Sequence, residues 1–226
     1  MTAFLSFVKE HNLNLPKNFP DKISEFCELL LEANKTTNLV SKNDEQKLLT
    51  RHIADSLIFA AYSLLTPSRA HPALRAPLSH RSTRCSRGEN SQLLWADIGS
   101  GAGFPVIPLC LYFPQIKFFA IECRKKRCEF LNLVKQKLSL QNLEIIQGKA
   151  ESSGLKNIDI VSCRAVGSLE ADFELAKMLL KKGGRFLTLK SKRIIEENSR
   201  LLKQAKIWNY RLPQEEMEYA LVHLVY

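Results

Sequence analysis

Apolar side chains recur at intervals of three and four residues through the first 65 residues of the chain, which is the spacing of one face of an α-helix. The positions with this spacing are Phe4, Phe7, Val8, Ile23, Phe26, Cys27, Leu30, Leu31, Ile53, Leu57, Phe59, Ala60 and Leu64. Pro16 and Pro20 interrupt the pattern between the first two groups. We therefore predict a helical N-terminal extension over residues 1–65.

The pattern is lost over residues 66–92, where the sequence holds three prolines, five arginines and a single acidic residue. A stretch without apolar periodicity cannot bury a core of its own. We predict a long basic connection that separates the helical extension from the rest of the chain. Such an insert could bind RNA, but a solvated linker is the simpler interpretation and is favoured here.

From residue 93 onward, short apolar runs alternate with amphipathic segments. Predicted strands cover residues 93–98, 117–122, 143–147, 158–163 and 185–190, and a terminal pair covers 207–212 and 219–226. Predicted helices cover residues 107–112, 127–138, 169–180 and 194–204, and the third of these is expected to stop at Gly183-Gly184. This alternation predicts an α/β fold over residues 93–226: a Rossmann-like, mostly parallel seven-stranded sheet with helices on both faces.

A glycine-rich turn, WADIGSGAGFP at residues 95–105, joins the first predicted strand to the helix after it. Glycines at 99, 101 and 103 permit a tight turn and let a ligand approach the backbone. Dinucleotide-binding turns read G-x-G-x-x-G, whereas Phe104 occupies the third glycine position of that pattern here. The turn therefore favours a nucleoside ligand without phosphate, such as S-adenosyl-L-methionine, over NAD or FAD. A purely structural strand-to-helix turn is the alternative.

Glu122 ends the second predicted strand, 19 residues beyond Gly103. An acid about 20 residues past such a turn accepts hydrogen bonds from ribose hydroxyls. The basic run 124–127 follows directly and either pairs with Glu122 or solvates the start of a helix. The turn and the acid together predict a class I methyltransferase that uses S-adenosyl-L-methionine.

The fourth predicted strand ends in Ser162-Cys163-Arg164, and ligands of open α/β sheets bind at this carboxyl edge. The Asn-Pro-Pro-Tyr or Asp-Pro-Pro-Tyr sequence typical of exocyclic-amine methylation is absent. Cys163 follows serine rather than proline, so we interpret it as a small packing residue and not as a nucleophile. No general base stands out beyond the acids assigned to the cofactor. Guanine N7 is a bare lone pair that loses no proton on methylation, so this sequence is consistent with N7 chemistry.

The net charge of +10 favours a polyanionic partner, although solubility alone would also explain it. The six cysteines form no C-x-x-C pair, and no ligands stand at zinc-site spacing, so we predict no metal site. The sequence shows no apolar run long enough to span a membrane and no secretion signal. We therefore expect free thiols and a cytoplasmic location.

Three segments carry a resemblance to a known family: DIGSGAGFPVIPL at 97–109, SCRAVGSL at 162–169 and HIADSL at 52–57, with Thr37-Asn38-Leu39 upstream. The chain resembles the RsmG (GidB) family of bacterial guanine-N7 methyltransferases, which act on 16S (small-subunit) ribosomal RNA. The resemblance spans nearly all of the chain except 66–92. It departs from the family at Val106, where glycine is usual, and in the length of the basic insert.

The resemblance implies roles for individual residues. Cofactor contacts are implied at Gly99, Gly101 and Phe104 in the turn, at Ala150 and Glu151 beside the adenine, at Glu122 on the ribose, and at Asp97, which holds either the turn or the methionine amino group. Arg164 is implied at the methyl-transfer end, as both a catalytic and a cofactor-binding residue. RNA phosphate contacts are expected from Lys125, Lys126, Lys190, Lys192 and Arg193.

Several alternatives stay open at this point. Glu151 could be a surface carboxylate, and Arg164 a structural partner of Asp97 or Glu122. His52 and Asp55 either bond to each other or contact RNA. For the chain as a whole, the alternatives are a methyltransferase for another RNA or base position, a dinucleotide-dependent oxidoreductase, and a non-catalytic RNA-binding or assembly protein. The expected partner is small-subunit RNA or the 30S particle, and nothing in the sequence requires a dimer.

Overall fold

A computed structural model describes residues 2–65, 92–164, 167–191 and 200–226 of the chain. The predicted basic connection therefore lies outside the described residues except for Gln92. The same is true of the first part of the helix predicted at 194–204; its described end, Arg200–Lys203, is a short 3₁₀ turn.

The N-terminal region is helical, as its apolar spacing predicts. It consists of α1 (Thr2–Glu10), α2 (Phe19–Thr37), α3 (Lys42–Glu45), a π-helical turn (Leu48–Ile53) and α4 (Ala54–Leu65). Pro20 lies in the first turn of α2, where its missing N–H costs no hydrogen bond. Asn38 ends that helix in the left-handed conformation, with φ of 50°.

The remainder is an α/β unit built on one seven-stranded sheet. Its strands are β1 (Leu94–Ile98), β2 (Lys117–Glu122), β3 (Leu143–Gln147), β4 (Ile158–Arg164), β5 (Leu180–Ser191), β6 (Lys206–Arg211) and β7 (Glu218–Val225). They lie in the order β3-β2-β1-β4-β5-β7-β6. Strands β1 to β5 are parallel, and β7 pairs antiparallel with both β5 and β6. The predicted fold class is confirmed.

Three helices connect the parallel strands: α5 (Val106–Tyr112), α6 (Lys125–Lys137) and α7 (Leu169–Leu179). The predicted stop of α7 at the glycine pair is wrong. The helix ends at Leu179 and β5 begins at the next residue, so Gly183 and Gly184 lie inside the strand. The pairing of β5 with β4 shifts register there, and Gly183 has φ of 75°. The glycines thus serve a bulge, the other use that strands make of them.

Buried side chains form one cluster on each face of the sheet. The larger cluster joins the N-terminal helices to the sheet: Phe59 of α4 packs against Trp95 of β1, with ring centroids 6.4 Å apart. The smaller one places Phe173 of α7 against Phe186 of β5, at 5.7 Å. The N-terminal helices therefore share a core with the sheet, while the division of the chain at residues 65 and 93 stays a prediction.

Parallel strands end at a common edge. In this chain, Ile98 of β1 pairs with Ile121 of β2 on one side and with Cys163 of β4 on the other. The residues that end these strands, Glu122 and Arg164, are therefore neighbours of the glycine-rich turn that follows Ile98. This carboxyl edge, at the centre of the sheet, is where open α/β sheets bind ligands.

Candidate active site

The glycine-rich turn requires glycine for two reasons. Gly99, Gly101 and Gly103 all have positive φ, at 72°, 57° and 94°. Gly103 also lacks space, because a Cβ there would lie 2.6 Å from Cγ1 of Ile107. Gly99 is exposed, whereas Gly101 and Gly103 are buried beneath it. Gly99 is thus the glycine of the turn that a ligand can reach.

The carboxylate of Glu122 is tied to the backbone of the turn. Its Oε2 accepts a hydrogen bond from the Gly101 N–H at 2.9 Å, and its Oε1 accepts one from the Arg124 N–H at 2.8 Å. Nη1 of Arg127 lies 3.9 Å from Oε2, so the basic run supplies an ion-pair partner, one of the two roles expected for it. The Cys123 thiol, a weak donor, lies 3.6 Å from Oε1. Each carboxylate oxygen has two lone pairs, so one on Oε2 remains for a further donor, and one on Oε1 is held only by the thiol.

Asp97 is buried behind the turn in a relay of hydrogen bonds. Nε1 of Trp95 donates to Oγ of Ser162 at 2.9 Å, and that hydroxyl donates to Oδ1 of Asp97 at 2.8 Å. The other oxygen, Oδ2, is buried and has no hydrogen-bond partner among the described residues. Burial raises the pKa of Asp97 to about 7. An unpaired buried acceptor of this kind can receive a hydrogen bond from a bound ligand.

These groups match what S-adenosyl-L-methionine presents. The ligand carries an α-ammonium group, which suits Oδ2 of Asp97, and two ribose hydroxyls, which suit the free lone pair on Oε2 of Glu122 and the one on Oε1 that only a thiol holds. The exposed Gly99 leaves room for the ligand beside the backbone. The residues present therefore fit this cofactor.

The 3₁₀ turn Ala150–Ser152 lies beside Glu122, because β3 pairs with β2 and Gln147 lies opposite Glu122. The N–H of Gly148 donates to the Glu122 backbone oxygen at 2.9 Å and holds this connection in place. Ala150 is buried and Glu151 is exposed. The structure therefore brings the pair predicted at the adenine to the same edge as the ribose acid.

Arg164 is held by two residues of the N-terminal helices. Its Nη1 donates to Oδ2 of Asp55 at 3.2 Å, and its Nη2 donates to Nδ1 of His52 at 2.9 Å. The guanidinium carbon lies 5.4 Å from the centre of the Phe104 ring. Neither Asp97 nor Glu122 is the partner that the sequence offered as an alternative. We call Arg164, Asp55, His52 and Tyr210, whose hydroxyl donates to Oδ1 of Asp55, the Arg164 cluster.

Burial and the neighbouring Arg164 shift the pKa values of His52 and Asp55. Burial, followed by the nearby Arg164 cation, lowers the pKa of His52 to about 4. Burial raises the pKa of Asp55, and Arg164 opposes that rise. Nδ1 of His52 and Oδ2 of Asp55 are occupied by the arginine, and Oδ1 of Asp55 is occupied by Tyr210, so neither side chain is available as a general base. The sequence marked this pair but gave no signal of its partner.

Cys163 is buried in the smaller of the two core clusters. It is 1% exposed, and its Sγ donates to Oγ1 of Thr188 at 3.5 Å. Burial raises the pKa of its thiol well above the usual range. Because the thiolate is the nucleophilic form, this environment favours a packing role, as the sequence indicated.

The basic residues predicted to contact RNA fall into three groups. Lys125 and Lys126 are exposed at the start of α6. Lys192 and Arg193 lie outside the described residues. Lys190 is wrong as an RNA contact, because it is 4% exposed and its Nζ lies 2.8 Å from both Oδ2 of Asp172 and the backbone oxygen of Gly167. A buried ammonium needs such partners, and Lys190 joins β5 to Gly167 and to Asp172 of α7.

Over the described ranges, no three His, Cys, Asp or Glu side chains lie close enough together to hold a metal ion. Nor does any helix in that part of the chain have the length and apolar character needed to cross a bilayer.

Comparison with known proteins adds a family match. The GidB family, described as rRNA small subunit methyltransferase G, matches residues 20–68 and 80–215. Relatives called ribosomal RNA small subunit methyltransferase G from Staphylococcus aureus strains JH9 and Newman are 33% identical over 203 residues, covering 88% of this chain and 73% of each relative. Among solved structures, M. jannaschii TYW2 in complex with AdoMet is similar over 60% of this chain and 69% of its own, with 17% identity and a TM-score of 0.49.

Proposed function

The chain belongs to the GidB family, rRNA small subunit methyltransferase G, and from that premise we propose that it transfers a methyl group from S-adenosyl-L-methionine to N7 of one guanine in small-subunit (16S) ribosomal RNA. The observation that carries the proposal is the arrangement at the carboxyl edge. There the exposed Gly99, the carboxylate of Glu122 and Oδ2 of Asp97, which has no hydrogen-bond partner among the described residues, all lie at or directly beside the glycine-rich turn. An oxidoreductase would need a pyrophosphate site, for which this turn has the wrong glycine spacing.

The cofactor contacts follow from the strand ends. Glu122 accepts from the ribose hydroxyls, and Asp97 accepts from the α-ammonium group through Oδ2. Gly99, Gly101 and Phe104 form the wall at the turn, while Ala150 and Glu151 flank the adenine. When bound, the cofactor supplies an electrophilic methyl group on its sulfonium. The chain has only to bind, orient and exclude water.

Guanine N7 is the acceptor that these surroundings support best. Methylation at N7 releases no proton, so no general base is required. The titratable groups near Arg164 are not available as a general base. His52 and Asp55 accept hydrogen bonds from the arginine, and Cys163 is buried with a raised pKa. Asp97 is assigned to the ammonium group of the cofactor, so it does not serve as a base for the acceptor. In this proposal, Arg164 donates its remaining N–H groups to guanine O6, the acceptor next to N7.

Charge positions the RNA, and the pocket selects the base. Lys125 and Lys126 are exposed beside the site at the start of α6, and Lys192 and Arg193 follow β5 in sequence. The target guanine is delivered from an unstacked loop or by base flipping. We propose further that the chain acts as a monomer in the cytoplasm, on small-subunit RNA or on the 30S particle.

The test is methyl transfer in vitro. Purified protein is incubated with methyl-labelled S-adenosyl-L-methionine and with small-subunit RNA or 30S particles from cells that lack N7 methylation, and the RNA is digested to nucleosides. We expect the label in 7-methylguanosine at one position. Label in another nucleoside would support a different base position. Cofactor binding without label in any RNA would overturn the proposal in favour of a non-catalytic binding protein.

Two variants tie the reaction to the site. Glu122→Ala removes the ribose acceptor and is expected to weaken cofactor binding. Arg164→Ala is expected to lower turnover with cofactor binding largely retained. Glu144→Ala is a matched control, because Glu144 is an exposed acid of β3 that pairs with Lys117 at 3.2 Å, near the opposite end of the strands. Equal activity in all three variants would show that the active site does not lie at this edge of the sheet.

A further inference from the structure

The Arg164 cluster joins parts of the chain that are distant in sequence. Arg164 ends β4, whereas Asp55 and His52 lie 109 and 112 residues earlier. The fourth member, Tyr210, comes from β6 and lies 155 residues after Asp55. A single guanidinium is therefore fixed by the N-terminal helices on one side and, through Asp55, by the antiparallel end of the sheet on the other.

Asp55 is bound at both of its oxygens. Oδ2 accepts from Arg164 and Oδ1 accepts from the hydroxyl of Tyr210, which is 5% exposed. A buried carboxylate with two donors has little freedom to rotate, and a guanidinium bound to it inherits that rigidity. Tyr210 thus holds the arginine through Asp55.

His52 constrains the arginine from a second direction. Its ring stacks on Phe104 with centroids 4.9 Å apart and an interplanar angle of 21°. It lies in the π-helical turn, and its backbone oxygen accepts a hydrogen bond from Ser56 at 2.6 Å. Nδ1 faces a permanent cation, so it must be the unprotonated nitrogen of a neutral ring. The other charged groups near the ring are Asp44 of α3, 3.7 Å from Nε2, and the adjacent Arg51.

We infer that Asp55, His52 and Tyr210 are positioning residues for the methyl transfer: they hold the Arg164 guanidinium over Phe104 in the orientation that receives the target base. The inference rests on the proposed function. A free arginine side chain has many rotamers. When one of them is fixed before the base binds, the entropy cost of ordering the side chain no longer adds to the activation free energy. The N-terminal helices therefore complete the site as well as packing on the sheet.

Tyr210→Phe tests the inference most gently, because it deletes one hydroxyl and keeps the ring. The chain offers a matched control in Tyr62→Phe. The Tyr62 hydroxyl also joins α4 to the antiparallel strands, through a 3.0 Å hydrogen bond with Nδ1 of His223. Both variants lose a buried tyrosine hydroxyl at the same interface, but only one of them loosens Asp55.

Single-turnover methylation of small-subunit RNA is measured for both variants at saturating cofactor, together with the cofactor Kd and thermal unfolding. We expect Tyr210→Phe to lower the rate constant by about tenfold to 100-fold while the cofactor Kd changes by less than about threefold. Tyr62→Phe should lose similar thermal stability with an unchanged rate. Asp55→Asn keeps an acceptor for the arginine, so its rate constant should lie between those of wild type and Asp55→Ala.

The second measurement does not use activity. The His52 ring is titrated by NMR in wild type and in Arg164→Met. We expect a pKa of about 4 in wild type and a higher value in the variant, because a neighbouring cation has been removed while burial remains. An unchanged His52 pKa would show that the ring does not face the guanidinium and would overturn the inference.

The outcomes separate the two proposals. A wild-type protein that transfers no methyl group contradicts the proposed function, and this inference with it. An active wild type in which Tyr210→Phe and Tyr62→Phe have the same rate contradicts the inference alone. A loss in Tyr210→Phe that appears only as a weaker cofactor Kd also contradicts it, since the cluster would then serve cofactor binding.

Discussion

The buried pair of Lys190 and Asp172 gives the sharpest stability prediction. The two side chains are 3% and 1% exposed, and Nζ lies 2.8 Å from Oδ2. Nζ also donates to the backbone oxygen of Gly167 at 2.8 Å. Oδ1 of Asp172 has no partner in the described part of the chain. Lys190→Met keeps the length of the side chain, removes the ammonium, and leaves a carboxylate buried with no countercharge.

Removing one member of a buried pair costs about 3–5 kcal/mol, because the remaining charge has neither water nor a partner. For a chain of 226 residues, that corresponds to a fall in Tm of about 6–20 °C. Replacing both residues, as in Lys190→Met with Asp172→Leu, removes the uncompensated charge and should recover most of the loss. The double-mutant cycle then isolates the interaction between the two side chains.

The assay is urea unfolding of wild type, both single variants and the double variant, with Lys125→Met as control. The Lys125 side chain is 78% exposed, so its loss should change stability by less than about 0.5 kcal/mol. The reasoning is refuted if Lys190→Met unfolds like wild type and instead binds RNA more weakly with a shallower salt dependence. Lys190 would then be the phosphate contact that the sequence suggested.

Three further predictions follow from the site. Gly103→Ala should lower the free energy of unfolding in urea by about 2–4 kcal/mol, because its Cβ would lie 2.6 Å from Ile107 Cγ1 at a φ of 94°. In the control Gly154→Ala, with φ of 73° and nothing within 4 Å of the Cβ, only the backbone strain should lower it. Equal losses in the two variants would contradict the packing argument. The Kd for S-adenosyl-L-methionine should rise as pH falls below 7, by at most about tenfold per pH unit, because the pKa of Asp97 in the free protein is about 7 and the ammonium group pairs with the ionised carboxylate. Titration calorimetry should give a Kd that does not change with pH in Asp97→Asn. A Kd that still rises at low pH in that variant would assign the pH dependence to another group. Lys125→Ala should weaken RNA binding and lower the slope of log K against log salt by about 1, and an unchanged slope would exclude a phosphate contact at Lys125.

Local pattern was enough to predict the sheet and the turn. Buried parallel strands are continuous apolar runs, so β2 and β3 begin and end at the predicted residues. Parallel strands end at a common carboxyl edge, so the chain order alone was enough to predict that Glu122 lies next to the glycine-rich turn.

What could not be predicted depends on distance and burial. A lysine at a strand end looks the same in sequence whether it meets solvent or a buried acid. The available clue was Asp172, an acid between the apolar Leu169, Phe173 and Ala176 on the packed face of α7. A glycine pair after a helix indicates either a stop or a bulge, and only strand pairing decides between them. The partners of Arg164 lie more than 100 residues away, so the fold alone reveals them.

The most direct measurement is made in cells. The gene is deleted, and nucleosides of purified small-subunit ribosomal RNA are quantified by mass spectrometry, with complementation by wild type or by Arg164→Ala. We expect one 7-methylguanosine to be lost on deletion, restored by wild type, and not restored by the variant. An unchanged 7-methylguanosine content after deletion would contradict it.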